Sequence, residues 1–273
     1  MNWIAVRVRP ATNREEVIAA LIGAGSQGVQ EDGATLLTHY PPGADVPAIR
    51  RAVAAVDAGA SVEIGTTPDV DWSEAWRDRI TVHALGALTV APPWLADGLD
   101  PACTIVIDPG MAFGTGEHAT TRGVIRLMQA VLRPGDRVAD LGSGSAVLAI
   151  AAAKLGAARV AAIELDADAI GNALENVRRN GVQDVVHVIE GDAQALLALV
   201  APVRIVLANI VSSVLLALLP AIESALSSDG RAILSGMLRD ERAEMIGALR
   251  GSGWRIEAED SEDIWWSASV ARA

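Results

Sequence analysis

Asp140, Gly142 and Gly144 stand as D-x-G-x-G in the segment DRVADLGSGSAVLAIAAAKLGA, and Glu164 closes the apolar run RVAAIE that follows. The glycines permit a tight turn and let a ligand approach the backbone. The helix read from about Ala146 offers unpaired N–H groups at its start. A carboxylate ending the next strand, about 20 residues past the first turn, is placed to accept both hydroxyls of a ribose. The pattern points to an adenosine-containing ligand. A nicotinamide dinucleotide asks for G-x-G-x-x-G; counted from Gly142 the third glycine falls on Val147, so that fingerprint fails. The plainer alternative is an ordinary strand–helix turn with two glycines, and the Glu164 spacing argues against it.

Further along, Asp192 lies in EGDA after a third strand, and Asn209 follows the strand Ile205 to Ala208. An amide ending a core parallel strand opens onto the ligand crevice of such a sheet. Upstream, DPGMAFGTGEHATT (Asp108 to Thr121) gathers three glycines, several hydroxyls, His118 and the chain's one phenylalanine, Phe113. It is too polar to be core. His118 reads either as bonding the loop to itself or as functional, and Phe113 either as loop packing or as a lid. Trp72 and Trp76, four apart, read as a staple between domains.

Those residues need a frame. WIAVRVR alternates as a strand, and Asn13 reads as the cap of a helix ending before Gly25. A short strand at Gly28 to Glu31, the strand ATLLTHY, the helix VPAIRRAVAAVDAG and the strand SVEIG complete β-α-β-β-α-β, a ferredoxin-like unit. The expected domains are residues 1–65, a connector at 66–80 that is helical from Ser73, and a second domain at 81–273. In the second, short strands at Thr81 to Val90 and Thr104 to Ile107 precede an alternation of strands and helices, the mark of a mostly parallel α/β sheet.

Composition agrees with this frame. The 273 residues, at roughly 150 per domain, suggest just under two domains. The chain is 51% hydrophobic with mean hydropathy +0.32, enough for a large core. Seven Trp, one Tyr and one Phe leave the interior to aliphatic side chains. The lone Cys103 rules out an internal disulfide and any multi-cysteine metal site, and the four histidines are scattered, so no metal is expected. A net charge of −12 with no basic patch argues against direct nucleic-acid binding. Ile205 to Ile222 is uncharged and near the length of a membrane span, but Asn209, Ser212, Ser213 and Pro220 make strand, turn and helix the better reading. The N-terminus lacks the pattern of a signal peptide. A cytoplasmic monomer without membrane contact is expected.

The loop DPGMAFGTGEHATT, with DWSEAWR ahead of it, motif D-x-G-x-G, LANI after the fourth strand and Trp265 or Trp266 near the end, resembles the ribosomal protein L11 methyltransferase family. There the loop runs close to DPG-x-AFGTG-x-H-x-TT. The resemblance implies an α/β class I methyltransferase: a Rossmann-like, seven-stranded, mostly parallel sheet with a smaller N-terminal ferredoxin-like α+β domain for substrate recognition. It implies S-adenosylmethionine as cofactor and, as substrate, lysine side-chain and N-terminal amines of ribosomal protein L11. Another protein or a small-molecule amine is the alternative substrate. The family's cofactor contacts fall on Thr121, Gly142, Gly144, Glu164 and Asn209, with Asp192 at the adenine-ring position and Asn209 as the catalytic residue. Departures are Glu117 and Ala119 for Thr and Pro, Ser143 and Ala146 for Cys and Gly, and Glu164 for Asp.

Overall fold

A computed structural model describes residues 3–26, 28–67, 80–108, 114 and 116–273, without the side chain of Glu31. The chain divides into two compact units, Met1–Arg79 and Ile80–Ala273. The expected connector helix and the Trp72–Trp76 staple lie outside the described residues.

In the first unit, β1 (Trp3–Arg9), α1 (Arg14–Gly23), β2 (Val29–Asp32), β3 (Thr35–Tyr40), α2 (Val46–Val56) and β4 (Ser61–Thr67) form one antiparallel sheet in the order β2-β3-β1-β4. This is the ferredoxin-like arrangement. Strand alternation explains its one-sided core: Val6 and Val8 are buried while Arg7 and Arg9 face water. Val17 and Leu21 of α1 and Ile49 and Val53 of α2 cover that face. Asn13 does occupy the cap position of α1, but its side chain makes no cap bond and donates instead to the Val56 carbonyl at 3.0 Å. The carboxylate of Asp57 instead fixes the chain that leads into the helix, accepting from the N–H groups of Ala11 and Thr12 at 2.7 and 2.9 Å.

The second unit opens with a small sheet that the strand pattern only partly foretold. β5 (His83–Leu85) and β6 (Leu88–Ala91) form a hairpin, and β7 (Thr104–Val106) adds in parallel to β6. Then come α3 (Ala119–Val131), β8 (Arg137–Leu141), α4 (Val147–Lys154), β9 (Arg159–Glu164), α5 (Ala167–Arg179), β10 (Val186–Glu190) and α6 (Ala193–Val200). They are followed by β11 (Val203–Asn209), α7 (Ser212–Ala225), β12 (Leu226–Leu238), α8 (Arg242–Gly251), β13 (Trp254–Glu262) and β14 (Trp265–Arg272). The large sheet runs β10-β9-β8-β11-β12-β14-β13, with β14 antiparallel to both neighbours. It is the class I methyltransferase sheet.

Helices bury both faces, and the period of two assigns each side chain to a layer. Along β11, Ile205 and Leu207 join the core under α3, α4 and α5, while Val206 and Ala208 join the core under α6, α7 and α8. The apolar stretch from Ile205 to Ile222 is thus strand, turn and helix. Among the described residues no helix is long and apolar enough to cross a membrane. The chain order of the strands reverses between β8 and β11, so a crevice opens at their carboxyl ends.

Candidate active site

β8 ends at Leu141, and the chain turns through Gly142 and Gly144 with φ +65° and +51°. Both values lie in the left-handed region where only glycine is free of strain. A Cβ on Gly142 would stand 2.8 Å from Cγ2 of Ile210, so the bare backbone also keeps the crevice open. The N–H groups of Gly142 and Ser143 donate to the Ile163 carbonyl at 2.9 and 3.2 Å, tying the turn to β9. Glu164, next in line, accepts from Gly144 N–H at 2.7 Å through Oε2 and from Asp166 N–H at 2.9 Å through Oε1. Each oxygen keeps acceptor capacity for a ligand hydroxyl.

Gly142, Glu164 and Asp192 border one cavity of about 380 Å³, floored by Ile163, Ile210 and Leu218. Asp192 caps α6, Oδ1 accepting from Gln194 N–H at 2.8 Å. A carboxylate, a bare glycine turn and an aliphatic floor suit a ribose joined to a flat apolar base. Two further atoms of the same turn have no partner among the described residues: Oδ1 of Asp140 and Oγ of Ser143, both buried. Burial raises the Asp140 carboxyl to about 7; the nearby Glu164 adds to this, and the Ala149 N–H, 3.0 Å from Oδ2, opposes it. Unmatched acceptor and hydroxyl beside an adenosine-sized cavity fit a ligand with a polar, charged tail.

Asn209 and Thr121 do not border that cavity. By strand alternation Asn209 shares the face of Ile205 and Leu207, and its Nδ2 lies 3.5 Å from Thr121 Oγ1. Ile210, one residue on, turns to the other face and floors the cavity. Thr121 was expected at the end of a loop; it sits fully buried in the first turn of α3. That turn is held hard against the sheet. Ser235 Oγ donates to the Thr120 carbonyl at 3.3 Å and lies 2.6 Å from Ser267 Oγ. Arg126 binds Asp260 at 2.8 and 2.6 Å and Glu262 at 2.8 Å; Arg122 binds Glu262 as well, its Nε at 3.0 Å. A Cβ on Gly123 would lie 2.8 Å from Ser267 Oγ.

His118 caps α3, with Nδ1 2.7 Å from the Thr120 hydroxyl, and its ring packs edge-on to Trp265 at 4.9 Å between centroids. Burial, and then the charge of Arg122, lowers its pKa. This agrees with a loop bonded to itself; Phe113 lies outside the described residues. Glu117 accepts from Thr81 N–H at 3.2 Å and lies 3.5 Å from His83 Nε2.

Two positioning residues escaped the sequence reading. Ser145 Oγ donates to the Gly114 carbonyl at 2.5 Å, and fully buried Asn176 accepts from Asp108 N–H at 3.0 Å while donating to the Ser145 carbonyl at 3.2 Å. Together they bind the loop from Asp108 to the glycine turn. Asn176 did leave a signal: an amide on the apolar face of α5, in step with Ala169, Ala173 and Val177.

With this geometry, the family model described as Ribosomal protein L11 methyltransferase (PrmA) matches residues 42–273. The chain belongs to the ribosomal protein L11 methyltransferase family. It is 35% identical over 217 residues to the Leuconostoc citreum ribosomal protein L11 methyltransferase, covering 71% of this chain and 73% of that protein. It is 46% identical over 136 residues to the Chloroflexus aurantiacus member, 49% of this chain and 42% of that protein. The chain thus spans less than half the length of that relative. A crystal structure of ribosomal protein L11 methylase from Lactobacillus delbrueckii subsp. bulgaricus superposes with a TM-score of 0.62 at 31% identity, covering 71% of this chain and 99% of that one.

Proposed function

We propose that this L11 methyltransferase family member transfers methyl groups from S-adenosylmethionine to lysine side-chain and N-terminal amines of ribosomal protein L11. The observation that carries the reading is the Asn209–Thr121 pair at the carboxyl edge of the sheet, beside a cavity shaped for adenosine. Glu164 would hold the ribose hydroxyls and Asp192 the adenine edge, and Gly142 and Gly144 would let the cofactor lie against the backbone. The unmatched Asp140 Oδ1 and Ser143 Oγ would take its amino-acid end.

When bound, S-adenosylmethionine supplies an activated sulfonium methyl. The protein's part is to present a neutral amine in line with it. A lysine of pKa ~10.4 costs about 4.6 kcal/mol to deprotonate at pH 7, and proximity and alignment contribute ~7–11 kcal/mol. Positioning therefore outweighs deprotonation without a strong base. With Nδ2 of Asn209 directed at Thr121, its Oδ1 is left to accept an amine hydrogen and orient the lone pair. Mass spectrometry of L11 after incubation with enzyme and cofactor tests the function: added methyl masses on amines support it, and an unmodified protein refutes it.

The first unit contributes none of these residues, and its proposed role is to recruit L11. Removing residues 1–65 should leave S-adenosylmethionine affinity within about twofold and abolish methylation of L11, since recruitment sets the effective concentration. Undiminished methylation by the truncated chain would show that the second unit recognises L11 alone.

A further inference from the structure

Asn209 ends β11 beside Ser235 of β12, at the edge where β12 and the β13–β14 turn also leave the sheet. There the chain segments are locked together. Ile210 N–H donates to the Ser235 carbonyl at 3.0 Å, and a Cβ on Gly236 would stand 2.5 Å from the Ile210 carbonyl oxygen. Ser212 Oγ and Leu238 N–H both donate to Glu241 Oε2, at 2.7 and 2.8 Å. Arg239 N–H donates to the Ile264 carbonyl at 2.8 Å, and its guanidinium to the Asp263 carbonyl at 3.1 Å.

This rigid edge turns large apolar side chains to water. Val211 is 61% exposed, Leu238 38% and Ile264 62%. Leu238 and Ile264 share the wall of a cavity of about 400 Å³ with Arg239, Asp240 and Asp263. Apolar side chains gathered on one edge and rimmed by polar groups mark an interaction surface. The charge around them selects the occupant. Asp240 and Asp263 outnumber Arg239 in that wall, and the whole chain carries −12, so a second copy is repelled and a cationic segment drawn in. A lysine answers both features, with an aliphatic stem for Leu238 and Ile264 and a positive end for the aspartates.

We propose that the shelf of Val211, Leu238 and Ile264, with Asp240 and Asp263, receives the lysine-bearing segment of the substrate protein; this rests on the protein-amine reading above. The shelf sets KM, and Asn209 sets turnover.

The test is steady-state methylation of full-length L11 by the intact chain and two double variants, Leu238→Ser/Ile264→Ser and Asp240→Asn/Asp263→Asn. The first should raise KM for L11 by about tenfold or more, with S-adenosylmethionine affinity unchanged by calorimetry. The second should lower kcat/KM severalfold at low salt and flatten its salt dependence. Unchanged KM in both variants, with an active wild type, overturns the shelf while leaving the proposed function standing. A wild type that fails to methylate L11 overturns both. A wild-type dimer that the serine variant dissociates in sedimentation would give the shelf to a second copy and overturn the proposal.

Discussion

On one side of the crevice the bonds that hold the candidate carboxylates are short in sequence: Asp192 bonds two residues ahead, and Glu164 reaches Asp166 and, 20 residues back, Gly144. On the other side Asn209 and Thr121 meet across 88 residues, and the helix carrying Thr121 is fastened to β13, which itself pairs with β14, by Arg122 and Arg126. The first side is a strand-end pattern that any sheet of this type makes once its strands pair. The second exists only after the last two strands have docked. The proposed division of labour follows that difference: the locally built side binds, and the side built by long-range packing orients the amine.

The sharpest way to break this comparison is to remove one side chain from each side. Asn209→Ala should lower kcat by roughly 10²-fold, about 2.7 kcal/mol, with little change in cofactor affinity, because the amide acts on the transition state. A turnover within twofold of wild type would make Asn209 a packing residue. Glu164→Ala should do the reverse, losing ~1.5–3 kcal/mol of S-adenosylmethionine binding for the charged hydrogen bond removed. Calorimetry on the folded variant decides; unchanged affinity would take Glu164 out of the binding side.

The same contrast governs what was legible in the sequence. D-x-G-x-G, Glu164 and the alternation of strands and helices follow from spacing and periodicity, which are local. Asn209 was recognisable as a strand-end amide, but its face was not; that follows from Ile205 and Leu207 packing under α3. Thr121 was misplaced into a loop because His118, an uncommon cap, starts the helix three residues earlier. Asn13 reads as a helix cap, but its side chain is drawn away to the Val56 carbonyl, 43 residues distant. The misreadings cluster where a partner distant in sequence, or an unusual one, completes the local structure.

Asp140 tests the binding side through stability. An ordinary aspartate titrates near 3.8, and burial moves this one to about 7. Between those values the folded chain holds a proton that the unfolded chain has lost, so stability should fall as pH rises from about 4 through about 7. Asp140→Asn carries no charge to bury and should flatten that slope. The expected difference between pH 5 and pH 8 is on the order of 2–3 kcal/mol, read by denaturant titration at both values. Identical slopes in variant and wild type would show that Asp140 is not the buried acid responsible.

The smallest effect expected separates two residues of one turn. Gly142 and Ala146 have nearly the same left-handed backbone, φ +65° and +66°, yet one carries a methyl group. At Gly142 that methyl would lie 2.8 Å from Ile210, whereas Ala146 is fully buried within the apolar core and its methyl has a place there. Ala146→Gly relieves ~1–2 kcal/mol of left-handed strain, forfeits ~0.8 kcal/mol of methyl burial and adds ~0.4–1 kcal/mol of unfolded-chain freedom. The sum is near zero, and stability should move by less than about 1 kcal/mol with cofactor affinity unchanged. Gly142→Ala faces the strain and the contact together, gaining only the ~0.4–1 kcal/mol from a stiffer unfolded chain, and should lose both stability and affinity. Equal losses in the two variants would mean that the backbone angle alone, and not the space beside Ile210, decides where this turn tolerates a side chain.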